Sequence, residues 1–108
     1  MNTIPPAGEK VASLQESIHK ITLLAQKRDS KRILEVLDSR FQNGQSVHRD
    51  GFVDVCSDHC VSQNDFDTAL FLTNFITHND SRAVVVTYIG RSMTTLMELT
   101  GVSNESSI

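Results

Sequence analysis

Apolar residues recur at alternating steps of three and four positions along most of this chain. In the stretch VASLQESIHKITLLAQK they are Val11, Leu14, Ile18, Ile21 and Ala25. This spacing places them on one face of an α-helix, with polar residues on the other face. Two heptads are too few for a coiled coil. The pattern therefore predicts a helix that buries its stripe within its own domain.

The segment RDSKRILEVLDSRFQNG predicts a second helix. Asp29 or Ser30 can cap its start by accepting a backbone N–H, and Asn43-Gly44 supplies the left-handed residue at which many helices end. Its apolar residues share one face: Ile33, Leu34, Leu37 and Phe41.

Residues 52–56, FVDVC, are compatible with a short strand or with part of a helix. Three aspartates, Asp50, Asp54 and Asp58, recur every four residues. Because side chains four apart lie on one side of a helix, the longer pattern favours a helix here. Its other face would carry Phe52, Val53, Cys56 and Cys60.

The segment SQNDFDTALFLTNFITHND predicts a central, well-buried helix, because apolar residues nearly encircle it. Ser62 and Asp65 stand in a Ser-x-x-Asp arrangement that resembles a capping box, and the run from His78 to Ser81 ends the helix. The apolar residues are Phe66, Ala69, Leu70, Leu72, Phe75 and Ile76.

The last segment contains two conflicting signals. Residues 83–89, AVVVTYI, are rich in β-branched types that suit a strand. A helical step nevertheless continues to Leu99, and Gly101 stands where a helix would stop. A lone strand would leave its backbone groups unpaired, so a helix is favoured. The alternative is an α+β fold that pairs 52–56 with 83–89.

These patterns predict an all-α fold, a compact four- or five-helix domain over residues 10–101. Residues 1–9, with both prolines, are expected to form a flexible lead-in, and residues 102–108 a polar tail. A chain of 108 residues can bury a core without disulfides. The predicted core comprises Leu14, Ile18, Ile21, Leu34, Leu37, Phe66, Leu70, Phe75, Val85, Tyr88 and Leu96.

Charge and cysteine content narrow the classes of function. The formal net charge is −3, made up of +2 over residues 1–40 and −5 over residues 41–108. This balance disfavours nucleic acid and anionic membranes as partners. The first ten residues, MNTIPPAGEK, have no basic start followed by an apolar run, so we expect no secretory signal, and no apolar run in the sequence reaches the length of a membrane span. Two cysteines four positions apart cannot join distant parts of a fold, so we expect a reducing, cytoplasmic location.

The segment DVCSDHC, residues 54–60, contains both cysteines. Cys56, His59 and Cys60 could supply three of the four ligands that zinc needs, with His48 as the fourth. The Cys-x-x-His-Cys order does not match paired Cys-x-x-Cys knuckles, and free cysteine is commonly buried. We therefore expect two core cysteines and no cofactor, with a small zinc-binding regulatory domain as an alternative.

No motif in the sequence predicts catalysis. It has no Gly-x-Gly-x-x-Gly, no phosphate-binding loop with lysine and no His-Glu-x-x-His. The aspartates do not follow the order of an EF-hand calcium loop. We therefore expect a protein that is not an enzyme.

A DNA-associated transcriptional regulator is a further alternative. Residues 93–108, MTTLMELTGVSNESSI, resemble the first helix and turn of a helix-turn-helix, but no Lys or Arg follows to reach phosphates. We therefore do not expect nucleic acid as a partner. A basic cluster alternates with acidic residues and suits a solvated face: Lys27, Arg28, Lys31, Arg32 and Arg40.

The expected function is therefore protein binding, as a small regulator, adaptor or chaperone-like protein that uses a helical apolar surface, with a homodimer as one form. The last two helices carry more apolar residues than a small domain readily covers, and uncovered apolar surface is where partners bind. The acidic face formed by Asp50, Asp54 and Asp58 could meet a basic partner. The candidate contact residues are Val85, Tyr88, Ile89, Met93, Leu96 and Met97.

Overall fold

The computed structural model describes residues 7–42 and 44–101, with side chains from residue 13 onward. Over these ranges the chain forms five α-helices, a short 3-10 turn and no strand. The elements are α1 (Ala7–Gln26), α2 (Ser30–Arg40), α3 (Ser46–Ser62), α4 (Phe66–Leu72), the 3-10 turn (Thr73–Phe75) and α5 (Asn79–Thr100). The all-α prediction is confirmed.

The alternative with strands at 52–56 and 83–89 is wrong, because these segments lie inside α3 and α5. Residues 7–9, predicted as lead-in, belong to α1. Residues 1–6, the tail 102–108 and Asn43 lie outside the described residues.

The turns between α1 and α2 and between α3 and α4 are built in the same way. Arg28 and Asn64 adopt the left-handed conformation, with φ of 59° and 60°. The residue after each, Asp29 or Asp65, donates its N–H to a carbonyl five residues back, at 3.0 and 2.9 Å. Each aspartate then caps the next helix, accepting an N–H from Arg32 or Thr68. Three residues thus suffice to end one helix and start another.

The predicted capping box at Ser62 is wrong in its details. Asp65 is itself the N-cap of α4, while the Ser62 hydroxyl donates to the carbonyl of His59 in the last turn of α3. The predicted cap at Asp29 and the helix end at Gly101, where φ is 75°, are both confirmed.

The chain forms two helical hairpins, α1–α2 and α3–α4, which contact each other at these turns. The Gln26 amide donates to the Asp65 carboxylate at 3.3 Å. The Arg28 guanidinium donates to the Thr68 hydroxyl at 3.4 Å and lies over the ring of Phe71, 4.9 Å from its centroid. These contacts set α1–α2 against α3–α4.

A single aliphatic core lies between the hairpins and α5. Of the predicted core residues, Ile21, Leu37 and Val85 are buried. Five others are partly buried: Ile18, Phe66, Leu70, Phe75 and Leu96. The buried apolar residues are Ile21, Ala25, Ile33, Leu37, Phe52, Val53, Cys56, Cys60, Val61, Ala69, Leu72, Ile76, Val85 and Ile89.

Three predicted core residues, Leu14, Leu34 and Tyr88, are exposed instead. Leu14 lies in the part of α1 that extends past the end of α2, since Arg40 at that end already reaches back to Ser17. Leu34 and Tyr88 each have a neighbour, Ile33 and Ile89, that takes the inward position.

Candidate functional site: the outer face of α5 and the α3–α5 cleft

Helix α5 is longer than the elements it packs against. Its 22 residues span about 33 Å, against about 10 Å for the seven residues of α4. Only Val85 and Ile89 are fully buried along it, and Met93 and Leu96 continue the same stripe half-buried. Much of the helix surface therefore faces away from the core.

Five large apolar side chains on α5 are exposed. Val84 is 69% exposed, Tyr88 47% and Leu99 81%, and Val86 and Met97 are also exposed. At 3.6 residues per turn, Val84, Tyr88 and Leu99 fall on one flank of the buried stripe, and Val86 and Met97 fall on the other. We call these two flanks together the outer face of α5; the side of the helix between them carries exposed polar residues, among them Thr87, Arg91 and Thr94.

The predicted contact residues are divided between the core and the surface. Val85 and Ile89 are buried, so a partner cannot touch them while the core is intact. Tyr88 and Met97 are exposed and belong to the outer face, and Met93 and Leu96 lie between the two.

Sequence reasoning missed three members of the outer face: Val84, Val86 and Leu99. The run of three valines at 84–86 has no polar residue to show which of them points inward. The signal that could have found them is the helical wheel anchored on Ile89, which is available only once that residue is known to be buried.

A cleft of about 410 Å³ separates α3 from the start of α5. Ile76 and Val85, both buried, form its apolar floor. Val47 is 72% exposed at the rim, where Asp54 and Asp80 also lie. Asp50, Gly51, His78 and Ser81 complete the lining. The cleft thus combines apolar walls with carboxylates.

Asp50 does not belong to a solvated acidic face, contrary to the prediction. It is 5% exposed, and it accepts hydrogen bonds from the backbone N–H groups of Thr77 and His78 at 2.8 and 3.1 Å. The Thr77 hydroxyl and the His78 ring, whose Nδ1 lies 2.6 Å from Asp50 Oδ2, complete its shell. Asp50 thereby ties the first turns of α3 to the N-terminal end of α5.

The hydrogen bonds decide the charge state of Asp50. Burial alone would raise the pKa of this carboxyl, but the Thr77 backbone N–H, the His78 ring, the Thr77 hydroxyl and the His78 N–H together lower the pKa below its ordinary value of 3.8. Asp50 is accordingly a carboxylate at neutral pH. Its hydrogen bonds link α3 to residues 77 and 78, directly before α5.

The three aspartates become progressively more exposed along α3. A step of four residues turns a helix by about 40° beyond a full revolution, so a row at that spacing drifts around the helix. Asp50 is buried, Asp54 half-buried and Asp58 exposed. Burial raises the pKa of Asp54, and burial together with the nearby charge of Asp54 raises the pKa of Asp58.

No cation within the described ranges lies within 4.0 Å of Asp54, Asp58 or Asp80. The arginines nearest to these aspartates in the sequence, Arg82 and Arg49, have other partners. Arg82 donates to the carbonyls of Thr73 and Ile76, and Arg49 binds Asp38 at 2.8 Å. The carboxylates beside the cleft therefore have no ionic partner among the described residues.

Comparison with known proteins assigns no family. The chain matches no family model, no curated protein and no solved structure. Any proposal for its function therefore depends on α5, the cleft and their charges.

The four candidate zinc ligands are not brought together. Cys56 and Cys60 are free thiols packed in the core, as the sequence predicts, whereas His48 and His59 are exposed on α3. Burial raises the pKa of Cys56 to about 12 and also raises that of Cys60, which disfavours the thiolates that zinc requires. Nowhere in the described part of the chain do three His, Cys, Asp or Glu residues form a group that could hold a metal ion.

Replacing Cys56 with serine is expected to lower the free energy of unfolding by about 2 kcal/mol, because a polar hydroxyl would replace the thiol at a completely buried, apolar position. Cys60→Ser should cost less, since position 60 lies within hydrogen-bonding reach of the Thr22 hydroxyl. Urea unfolding of both variants would measure the difference. The melting temperature of the wild type should not change on adding a chelator. A lower melting temperature in the presence of the chelator would instead support the zinc-binding alternative.

The basic cluster is partly structural. Arg28 binds the Ala25 carbonyl at 2.6 Å as well as Thr68, and Arg40 lies over the ring of Phe52. The other three members, Lys27, Lys31 and Arg32, are exposed. Separately, none of the described helices combines the length and apolar character required to cross a membrane.

Proposed function

We propose that this chain is a non-enzymatic protein-binding module, a small regulator or adaptor that presents the outer face of α5 to a partner protein. The observation that carries the proposal is the concentration of exposed apolar side chains on this helix. Of the ten large apolar residues exposed in the described part of the chain, five lie on α5. Single exposed apolar residues are common, whereas several on one element, such as Val84, Tyr88 and Leu99 along one flank of α5, typically mark an interaction site.

The geometry of the outer face suits a groove in a partner. Val84 and Tyr88 are one turn apart, which is the spacing at which helices anchor in apolar grooves. Tyrosine is enriched at the energetic centres of interfaces. The partner is another protein, with a second copy of this chain as one alternative. The free, buried cysteines are consistent with a cytoplasmic setting.

Peptide display provides a test that needs no known partner. A library of random peptides would be selected against the wild-type chain, and the binders would be measured against a Val84→Glu, Tyr88→Glu double variant. We expect at least about a tenfold loss of affinity, because two anchors are replaced by charges. Circular dichroism would verify that the variant is folded.

A matched double variant, Leu34→Glu with Val55→Glu, changes two residues of similar exposure on α2 and α3 and should leave the binders unaffected. The proposal is wrong if the selected peptides bind the Val84→Glu, Tyr88→Glu variant as tightly as the wild type. It is also wrong if the selection yields no binding peptide.

A further inference from the structure

Ser81, Val85 and Tyr88 follow one another at steps of four and three, so they form one row along α5. Ser81 and Val85 line the α3–α5 cleft, and Val84 lies beside them in the sequence. Val84 is three positions after Ser81 and four before Tyr88, so Val84, Tyr88 and the cleft are parts of one continuous surface, which excludes the other three residues of the outer face. Its apolar members are Val47, Val84 and Tyr88 at the surface and Ile76 and Val85 below.

The cleft end of this surface is acidic, whereas Arg91 lies beside Val84 and Tyr88 at the other end. Asp54 and Asp80 stand at the rim of the cleft, and Asp58 lies one turn beyond Asp54 on α3. None of the three has a cationic partner in the described ranges. Like charges four residues apart on a helix repel each other, which agrees with the raised pKa of Asp58. A partner that brings positive charge would remove this repulsion.

We propose that the partner segment seated on this surface is a basic amphipathic helix, with apolar residues on the outer face of α5 and lysine or arginine at the α3–α5 cleft. The proposal rests on the function proposed above and specifies the chemistry of its partner. Long basic side chains suit the cleft because their alkyl stems can pack on the exposed Val47 while their charged heads reach Asp54 and Asp80.

The basic segment belongs to a different protein rather than to a second copy of this chain. Four exposed cations of the chain's own basic cluster lie at the α1–α2 turn: Lys27, Arg28, Lys31 and Arg32. Docking them into the cleft of another copy would join two different surfaces. Such heterologous contacts generate open filaments unless the rotation happens to close a ring.

Three synthetic peptides test the proposal by fluorescence anisotropy. Each has about 16 residues with leucines at helical i, i+3, i+4 and i+7 spacing, and they carry lysine, glutamine or glutamate at the same flanking positions. We expect the lysine peptide to bind about tenfold more tightly than the glutamine peptide, and the glutamate peptide to bind most weakly. Added salt should weaken the lysine peptide most.

Two sets of variants assign the effect to the cleft. Asp54→Asn with Asp80→Asn should weaken the lysine peptide about tenfold and leave the glutamine peptide unchanged. Asp67→Asn, which alters an exposed aspartate on α4, should change neither. A Val84→Gln, Tyr88→Gln variant should weaken all three peptides, because it removes the apolar anchors without adding negative charge that would attract the lysine peptide.

The outcomes separate the two proposals. If all three peptides bind equally and the aspartate variant has no effect, the basic partner is wrong while the binding function of α5 stands. If none binds, both proposals fail. If the chain instead forms a salt-sensitive assembly that Lys31→Glu with Arg32→Glu disrupts, the occupant is a second copy and the present assignment is overturned.

Discussion

Replacing Asp50 with alanine is expected to lower the free energy of unfolding by about 3 kcal/mol. The substitution removes the acceptor of two backbone N–H groups, the Thr77 hydroxyl and the His78 ring. Donors left unsatisfied in a buried site each cost about 1–3 kcal/mol, and partial solvent access at His78 limits the total. Urea unfolding followed by circular dichroism would measure the loss.

Asp54→Ala is the matched control for this experiment, since it changes the next aspartate on α3. It should leave stability unchanged or raise it by a few tenths of a kcal/mol, because it relieves the repulsion with Asp58. Equal losses for the two variants would show that Asp50 does not hold the α3–α5 junction.

The pH dependence of stability should distinguish the same two residues. The pKa of Asp50 is lowered by folding from its ordinary value of 3.8. Its carboxylate therefore stabilises the folded state above pH 3.8, and this stabilisation is lost as the pH falls through the folded pKa. The pKa of Asp54 is raised by folding. Its ionised carboxylate therefore lowers the free energy of unfolding above the folded pKa, and this loss disappears when the carboxyl is protonated in acid. At low pH the Asp50→Asn variant should therefore approach the stability of the wild type. The Asp54→Asn variant should be more stable than the wild type at neutral pH and equally stable at low pH.

Ile89→Ala is expected to cost about 3 kcal/mol, whereas Tyr88→Ala should cost less than about 1 kcal/mol. Ile89 is completely buried, and truncating such a side chain loses transfer energy and leaves a cavity. Tyr88 is its neighbour in sequence but lies on the outer face of α5. Thermal unfolding of both variants would therefore determine the rotation of the helix.

The opposite ranking would mean that α5 is rotated and that Tyr88 belongs to the core, which would remove the main anchor of the proposed interface. Equal, small losses would mean that α5 contributes little to the core. The expected ranking would establish that Tyr88 variants are suitable for binding measurements, because the fold survives their removal.

The number and type of the helices could be predicted because their signals are local. The step that continues from Val85 to Leu99 outweighed the β-branched run at 83–89, since a repeat near 3.6 residues indicates a helix directly, whereas β-propensity is a weak preference. Asp29 and Gly101 marked helix ends because capping depends on one residue and its nearest neighbours.

The details of the site could not be predicted because they depend on contacts between distant segments. Adjacent apolar pairs such as Leu34 with Ile33, or Tyr88 with Ile89, fit the same pattern, and only the packing of other helices decides which member is buried. Asp50 has the same spacing as Asp54 and Asp58, but its partners are 27 and 28 positions away. No local signal indicates that Thr77 and His78 will meet it.

The matched turns at residues 27–29 and 63–65 also bear on the order of folding. Each closes a helical hairpin over three residues, so the loop-closure entropy is small, and contacts between neighbours in sequence favour rapid folding. Asp50 and Thr77 must bridge a longer stretch of chain. We expect φ-values to be high in the two hairpins and low at Val85 and Ile89. The helix that carries the proposed interface would then be the last to join the structure.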